Sequence, residues 1–321
     1  MDRSEKTPRK YLIPALIAGA IVALGSLIVV RVLVESIIQD PGKRRELRVI
    51  PGEDVVLTFS DEPDSPRMKF IWIDGLDMWF GETEVTIEQY DRFYGRINIR
   101  YYFGLLSYVG SFSEWPAYEP TWPAMLVVDL DAEMFGEWLT KRYKLPEGYM
   151  FRIPTHTEWN FVASNGGQAD YLYPWGSAWP PEPMFDGVYP NLWGVDPMPA
   201  GGSASPFYAD WSRRKYVHPE YKDGHAGPAP VFQSGKNPLG IYGLAGNVEE
   251  WCYGPAPSGF VLKGGMFTDT DASYLRVIHN GNYSYLPDAF TSQISRGDYG
   301  TGCRIVLGRQ RFSGVRSPNA P

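Results

Sequence analysis

Residues 11–30, YLIPALIAGAIVALGSLIVV, run for twenty positions without a charge. In hydrocarbon the backbone must satisfy its own hydrogen bonds, and a helix of about this length crosses the roughly 30 Å apolar layer of a bilayer. The run therefore divides the chain before any fold is considered. Residues 1–10 become a short tail. Residues 11–38 become a single transmembrane helix, with Arg31 snorkelling to the interface and Val32-Leu33-Val34 continuing the span. A cleaved signal peptide is the competing reading, but the run exceeds a usual signal core and no obvious cleavage site follows. Arg3, Lys6, Arg9 and Lys10 precede the span and Lys43, Arg44, Arg45 and Arg48 follow it, so flanking charge alone does not orient it. The short tail favours a cell-membrane signal-anchor with the large domain extracytoplasmic, on the periplasmic side. Residues 39–66, with Pro51-Gly52 and the acidic DEPDSP at 61–66, read as a stalk.

Charge separates the same parts. Residues 1–48 hold nine Lys/Arg against five Asp/Glu, whereas the whole chain is −7; the remainder is therefore −11. Phosphate binding needs a basic face, so nucleic acid is excluded as a partner of the large domain. With 11 Trp, 21 Tyr, 16 Phe, 34 Gly and 28 Pro, that domain is expected to pack aromatic side chains inside a loop-rich chain. Lys69–Ile73 and Met125–Val128 read as strands. IEQYDRFY reads as a helix entered at Thr86 and closed by Gly95. AEMFGEWLTKRYK, capped by Asp129 or Asp131, puts Phe135, Trp138 and Leu139 on one face. HTEWNFVASNGG follows Thr155 and stops at Gly166-Gly167. Arg152 and Glu158 are expected to form a buried ion pair pinning that helix. Gly240 and Gly246 are expected in turns, and Trp159, Trp175 and Trp251 in the core.

Seven stretches then matter together: GETEVTIEQYDRF (81–93), WPAMLVVDLDAEMFGEWL (122–139), FRIPTHTEWNFVASNGG (151–167), YPWG (173–176), NPLGIYGLAGNVEEW (237–251), LKGGMF (262–267) and GCRIVLGR (302–309). In this order they resemble the sulfatase-modifying-factor domain, the family of the formylglycine-generating enzyme. The resemblance implies an α+β, C-type-lectin-like, loop-rich domain over residues 67–312, leaving 313–321 as a flexible tail.

The resemblance also implies where chemistry would sit. The family's oxidase uses two cysteines shortly after the Gly-Gly strand, for copper and the substrate thiol. Those positions fall here at about Asp269 and Tyr274, and neither supplies a soft thiolate. Formylglycine generation and a copper site are therefore not expected. Asp269, Asp271, Tyr274 and Arg276 occupy the family's active-site region; the carboxylates could hold a metal or exchange protons, or be solvated loop residues. The iron-binding branch of the family uses three histidines. This chain has only His156, His218, His225 and His279, with no HxxxH pair, so no iron site is expected. Calcium is the cofactor the resemblance leaves open. One set would be Asn191 and Leu192 with Asp223 and His225. The other would be Gly246, Val248 and Glu250, with Gly243 where a side-chain ligand is expected. Cys252 and Cys303 read either as a disulfide or as two buried thiols. The connection 193–222 carries a basic-aromatic run at 211–216, and residues 101–122 form an aromatic loop. These features lead to the expectation of a membrane-anchored, non-catalytic structural or binding subunit of a larger membrane or envelope complex. The alternatives are a divergent enzyme and a carbohydrate- or peptide-binding lectin-like module.

Overall fold

The computed structural model describes residues 44–94, 119–125, 127–192, 194, 196, 220–255, 259–280 and 300–309. The 11–38 span, most of the aromatic loop, the basic-aromatic run and the 313–321 tail lie outside them. Among the described residues no helix is long and apolar enough to cross a membrane.

The chain opens with β1 (Arg45–Glu46), β2 (Val55–Thr58), β3 (Arg67–Ile73) and β4 (Met78–Gly81). Helix α1 (Ile87–Tyr94) and helix α2 (Asp129–Arg142) follow, then β5 (Tyr143–Lys144), β6 (Tyr149–Arg152) and helix α3 (His156–Ala163). After a long irregular stretch come β7 (Glu249–Tyr253), β8 (Phe260–Lys263), β9 (Thr301–Gly302) and β10 (Val306–Arg309). The main sheet has the order β2-β3-β4-β10-β6 and is antiparallel throughout. A second sheet, β8-β7-β9, pairs β7 antiparallel to β8 and parallel to β9. Two-stranded β1-β5 completes the set.

The pleat assigns the main sheet's two faces. Ile71 opposes Phe80, Ile73 opposes Met78, and Val306 opposes Phe80. These five residues pack on Trp159, Val162 and Ala163 of α3. Phe70 and Phe151 belong to the other face, 5.2 Å apart. Helix α2 lies close over β6, since a Cβ at Gly136 would come within 2.9 Å of Arg152 Cα. Phe135 of α2 then packs edge-on to Phe93 of α1 at 5.6 Å and beside Trp138 at 5.7 Å. The few helices act as covers for a sheet that is apolar on both sides.

Both short helices begin as their sequences require. Thr86 Oγ1 accepts from Gln89 N and Gln89 Oε1 accepts from Thr86 N; Thr155 and Glu158 form the same reciprocal box at α3. Arg152 and Glu158 pair bidentately at 2.8 Å, buried. Trp159, Trp175 and Trp251 are all buried.

Three expectations are corrected. The stretch read as a stalk enters the domain, because β2 is the sheet's edge, with Val55 opposite Phe70 and with Val55, Leu57 and Phe59 buried. The acidic DEPDSP that suggested a tether is the β2–β3 connection. Met125, Val127 and Val128 lie outside any strand, although Val127 is buried and its N–H reaches Thr301 O at 3.1 Å. Helix α2 is entered at Val128 without a side-chain cap, Asp129 Oδ1 instead accepting from Leu130 N, and Asp131 lies inside the helix.

Candidate functional site

β8 delivers the chain to Gly264-Gly265 and the loop behind them. Lys263 is buried, and its ammonium donates to Val277 O at 2.6 Å, to His279 O and to Asn280 Oδ1 at 3.3 Å, beneath the ring of Trp159. One side chain thus fastens residues 277–280 back onto the sheet. Burial, partly offset by Cys252, pulls the Lys263 amine down to about 8. Within this loop Asp269 Oδ2 accepts from Met266 N at 2.9 Å and Asp271 Oδ1 from Ser273 N at 2.8 Å. Each carboxylate closes its own turn. The Ser273 backbone and hydroxyl bonds hold exposed Asp271 below the usual carboxylate range, the opposite of what a general acid needs. Tyr274 and Arg276 are exposed, with the Tyr274 ring edge-on to His279 at 5.4 Å. The sequence places these residues on one loop, where Asp269 and Asp271 each bond within their own turn.

Asn191, Leu192, Asp223 and His225 do come together. Leu192 N donates to Asp223 Oδ2 at 2.7 Å, and His225 N donates to Asp223 Oδ1 at 2.8 Å. Asn191 is fully buried. Its Nδ2 donates to Gly227 O and to Asn247 Oδ1, both at 3.0 Å, while its Oδ1 has no hydrogen-bond partner. Burial pushes Asp223 up to about 7; the His225 and Leu192 N–H groups oppose this, and Asp196 adds to it. The orphaned amide oxygen of Asn191 and the Asp223 carboxylate, on segments that the Leu192 bond joins, are hard oxygen donors of the kind calcium takes. These residues fit the ion. Among the described residues no three or more His, Cys, Asp or Glu gather as a metal cluster, so amide and carbonyl oxygens would have to complete the shell.

The second expected calcium set does not fit. Glu250 is fully buried and accepts from Arg304 Nε at 3.0 and 3.1 Å, from Arg304 Nη2 and from Trp159 Nε1 at 2.8 Å. A guanidinium already neutralises the carboxylate. Val248 is core. Gly243 offers no side chain, and the carboxyl of Glu84 fills the space where a Cβ would stand. Gly246 holds φ +72°, and a Cβ there would overlap Asn191 O. Gly246→Ala is therefore expected to cost about 3 kcal/mol or more, from left-handed strain plus collision. Urea unfolding measures this, and a cost under about 1 kcal/mol would contradict the contact.

Cys252 and Cys303 are free and buried, which corrects the disulfide reading. Glu250 stands opposite Gly302. Side chains alternate along a strand, so Cys252, two residues on in β7, shares the face of Glu250, whereas Cys303 lies just past the end of β9. Burial raises both thiols well above their ordinary value.

Glu84, Asn247, Arg304 and Asp196 escaped the sequence reading. Arg304 had a signal: a lone charge in the apolar run GCRIVLG must be paired if that run is core. Asp196 had none.

The Sulfatase-modifying factor enzyme 1-like domain model matches residues 38–294. The chain is 31% identical over 134 residues to the formylglycine-generating enzyme of Thermomonospora curvata, covering 41% of this chain and 33% of that protein. It is 33% identical over 103 residues to the chaperone protein LppX of Paenibacillus barcinonensis, covering 32% and 31% respectively. It is 34% identical over 124 residues to the inactive C-alpha-formylglycine-generating enzyme 2 of Mus musculus, covering 37% and 32%. The matched region thus spans about a third of each relative's length. Among solved structures, Treponema denticola variable protein 1 aligns with a TM-score of 0.47 at 18% identity, over 80% of this chain and 99% of that one.

Proposed function

Because the chain belongs to the sulfatase-modifying factor enzyme 1-like domain family, we propose that it is a non-catalytic member, a calcium-stabilised binding or structural domain tethered to a membrane by residues 11–38 and acting as a subunit of a larger envelope assembly. The observation that carries this reading is the loop behind Gly264-Gly265. Where the family's oxidase needs two thiolates, this loop has Asp269 and Tyr274, and Asp269 is hydrogen-bonded into a turn. The chain's two cysteines lie in β7 and just after β9, buried and held as thiols, so neither offers the nucleophilic thiolate. A relative named as inactive supports a loss of this chemistry within the family. The same turn-closing bonds weigh against a divergent enzyme built on Asp269 and Asp271. Calcium at Asn191, Leu192, Asp223 and His225 would tie two distant segments together, as a structural ion does.

The test takes the full-length protein in mild detergent, loads it with Cu(I), and offers a cysteine-containing sulfatase peptide under oxygen. No aldehyde is expected, and aldehyde formation above the copper-only control would sink the non-catalytic reading. Mild solubilisation from the native membrane is expected to bring stoichiometric partners. A protein that emerges alone would count against the assembly.

A further inference from the structure

We infer that Asp196, which enters from the long connection after Leu192, is the positioning residue and second negative charge of the cation site formed by Asn191, Leu192, Asp223 and His225. This rests on the calcium reading above and goes beyond it, because it gives part of the connection 193–222 a task at that site.

The geometry is an interlock. Asp196 Oδ2 accepts from Asp223 N and Asp196 Oδ1 from Gly224 N, both at 3.1 Å. Asp223 in turn reaches back, its two oxygens accepting from Leu192 N and His225 N. Each side thus caps the other's backbone, and the turn at 223–225 cannot shift without releasing Leu192 and Asp196. A carboxylate has about four lone-pair sites. The bonds from Asp223 N and Gly224 N use two on Asp196, so further oxygen capacity is left to serve an ion, directly or through a water in its shell. Among the described residues neither Asp196 nor Asp223 has an ion-pair partner. Two neighbouring carboxylates repel, and a bound cation would relieve that repulsion. The independent sign of a ligand is Asn191 Oδ1, on the residue next to Leu192, fully buried and without a partner.

Ligand charge count tunes calcium affinity, and it matters more for a trivalent ion. The experiment measures calcium and terbium binding to the full-length protein in detergent by calorimetry and luminescence, with melting in calcium and in chelator. Asp196→Asn keeps a hydrogen-bond acceptor but loses the charge. It is expected to weaken calcium binding roughly tenfold and terbium binding more, while the melting temperature in chelator stays near wild type. Asp196→Ala, which loses both functions, is expected to bind more weakly still. Asp223→Asn should abolish binding. Wild-type affinity in Asp196→Asn, or equal losses for both ions, would overturn the role of Asp196 and leave the site standing. Absence of calcium binding in the wild type would overturn the site itself, and this inference with it.

Discussion

Arg304→Met is expected to destabilise the domain by about 3–5 kcal/mol, among the largest effects any single side chain here should produce. Arg304 is fully buried. Besides its bonds to Glu250, its Nη1 donates to Gly81 O at 3.0 Å and its Nη2 to Tyr242 O at 2.7 Å. One guanidinium therefore joins the exit of β4, the 237–246 turn and β7. Methionine fills much of the volume but, among the described residues, leaves Glu250 with only the Trp159 Nε1 donor and removes the donors to Gly81 O and Tyr242 O. The cost arises from the stranded carboxylate rather than from a lost attraction, since an intact buried pair is worth little over an apolar replacement. Arg304→Met combined with Glu250→Leu should therefore recover a substantial part of the loss. Urea midpoints with unchanged m-values provide the measurement. A single-variant cost under about 1 kcal/mol, or a double variant no better than the single, would contradict this account.

Glu84→Gln should change how stability depends on pH. Glu84 is fully buried. Its Oε1 accepts from Asn247 Nδ2 at 3.0 Å, and its Oε2 has no hydrogen-bond partner. Burial raises its pKa to about 8 from an ordinary 4.5, against the pull of Arg304. The folded protein thus keeps this proton where the unfolded chain releases it. The resulting stabilisation is complete below about pH 4.5 and is lost progressively as pH rises to about 8. A shift of this size is worth roughly 4 kcal/mol across that window. Glutamine keeps the Asn247 bond and never ionises. The variant should match wild type near pH 4.5 and exceed it increasingly up to pH 8. Other titrating groups, Asp223 among them, are common to both proteins and cancel in the difference. A wild-type-minus-variant difference that stays flat between pH 5 and 8 would sink this assignment.

The legibility of the fold follows from how local each signal was. Thr86-x-x-Gln89 and Thr155-x-x-Glu158 are helix starts written in four residues, and both helices form there. Apolar periodicity found α2, because Phe135, Trp138 and Leu139 repeat at helical spacing. The seven ordered motifs gave the family without any coordinates. What failed was non-local. Val55, Leu57 and Phe59 looked like part of a stalk because the strand that buries them lies across an acidic connection. Residues 125–128 looked like a strand because an apolar run does not reveal whether a partner strand will meet it. Asp129 looked like a cap, but a cap depends on the backbone angle at which the chain enters, and Val128 takes that place.

The candidate sites divide in the same way. The sequence by itself determined that the loop behind Gly264-Gly265 has no thiol, because residue identity needs no geometry. It also determined that the chain begins with a stretch apolar enough to span a bilayer, and that the remainder is acidic. Tertiary structure decided everything that depended on which distant groups meet. Folding left Cys252 and Cys303 as two free, buried thiols. Burial beside Arg304 turned Glu250 from a candidate calcium ligand into half of an ion pair, and the space at Gly243 went to Glu84. Asn191 and Asp223 were brought together across the long connection that also supplies Asp196. A sequence records which charges exist, but their free energies depend on desolvation and on partners within a few ångströms, and those are fixed only when the chain has folded.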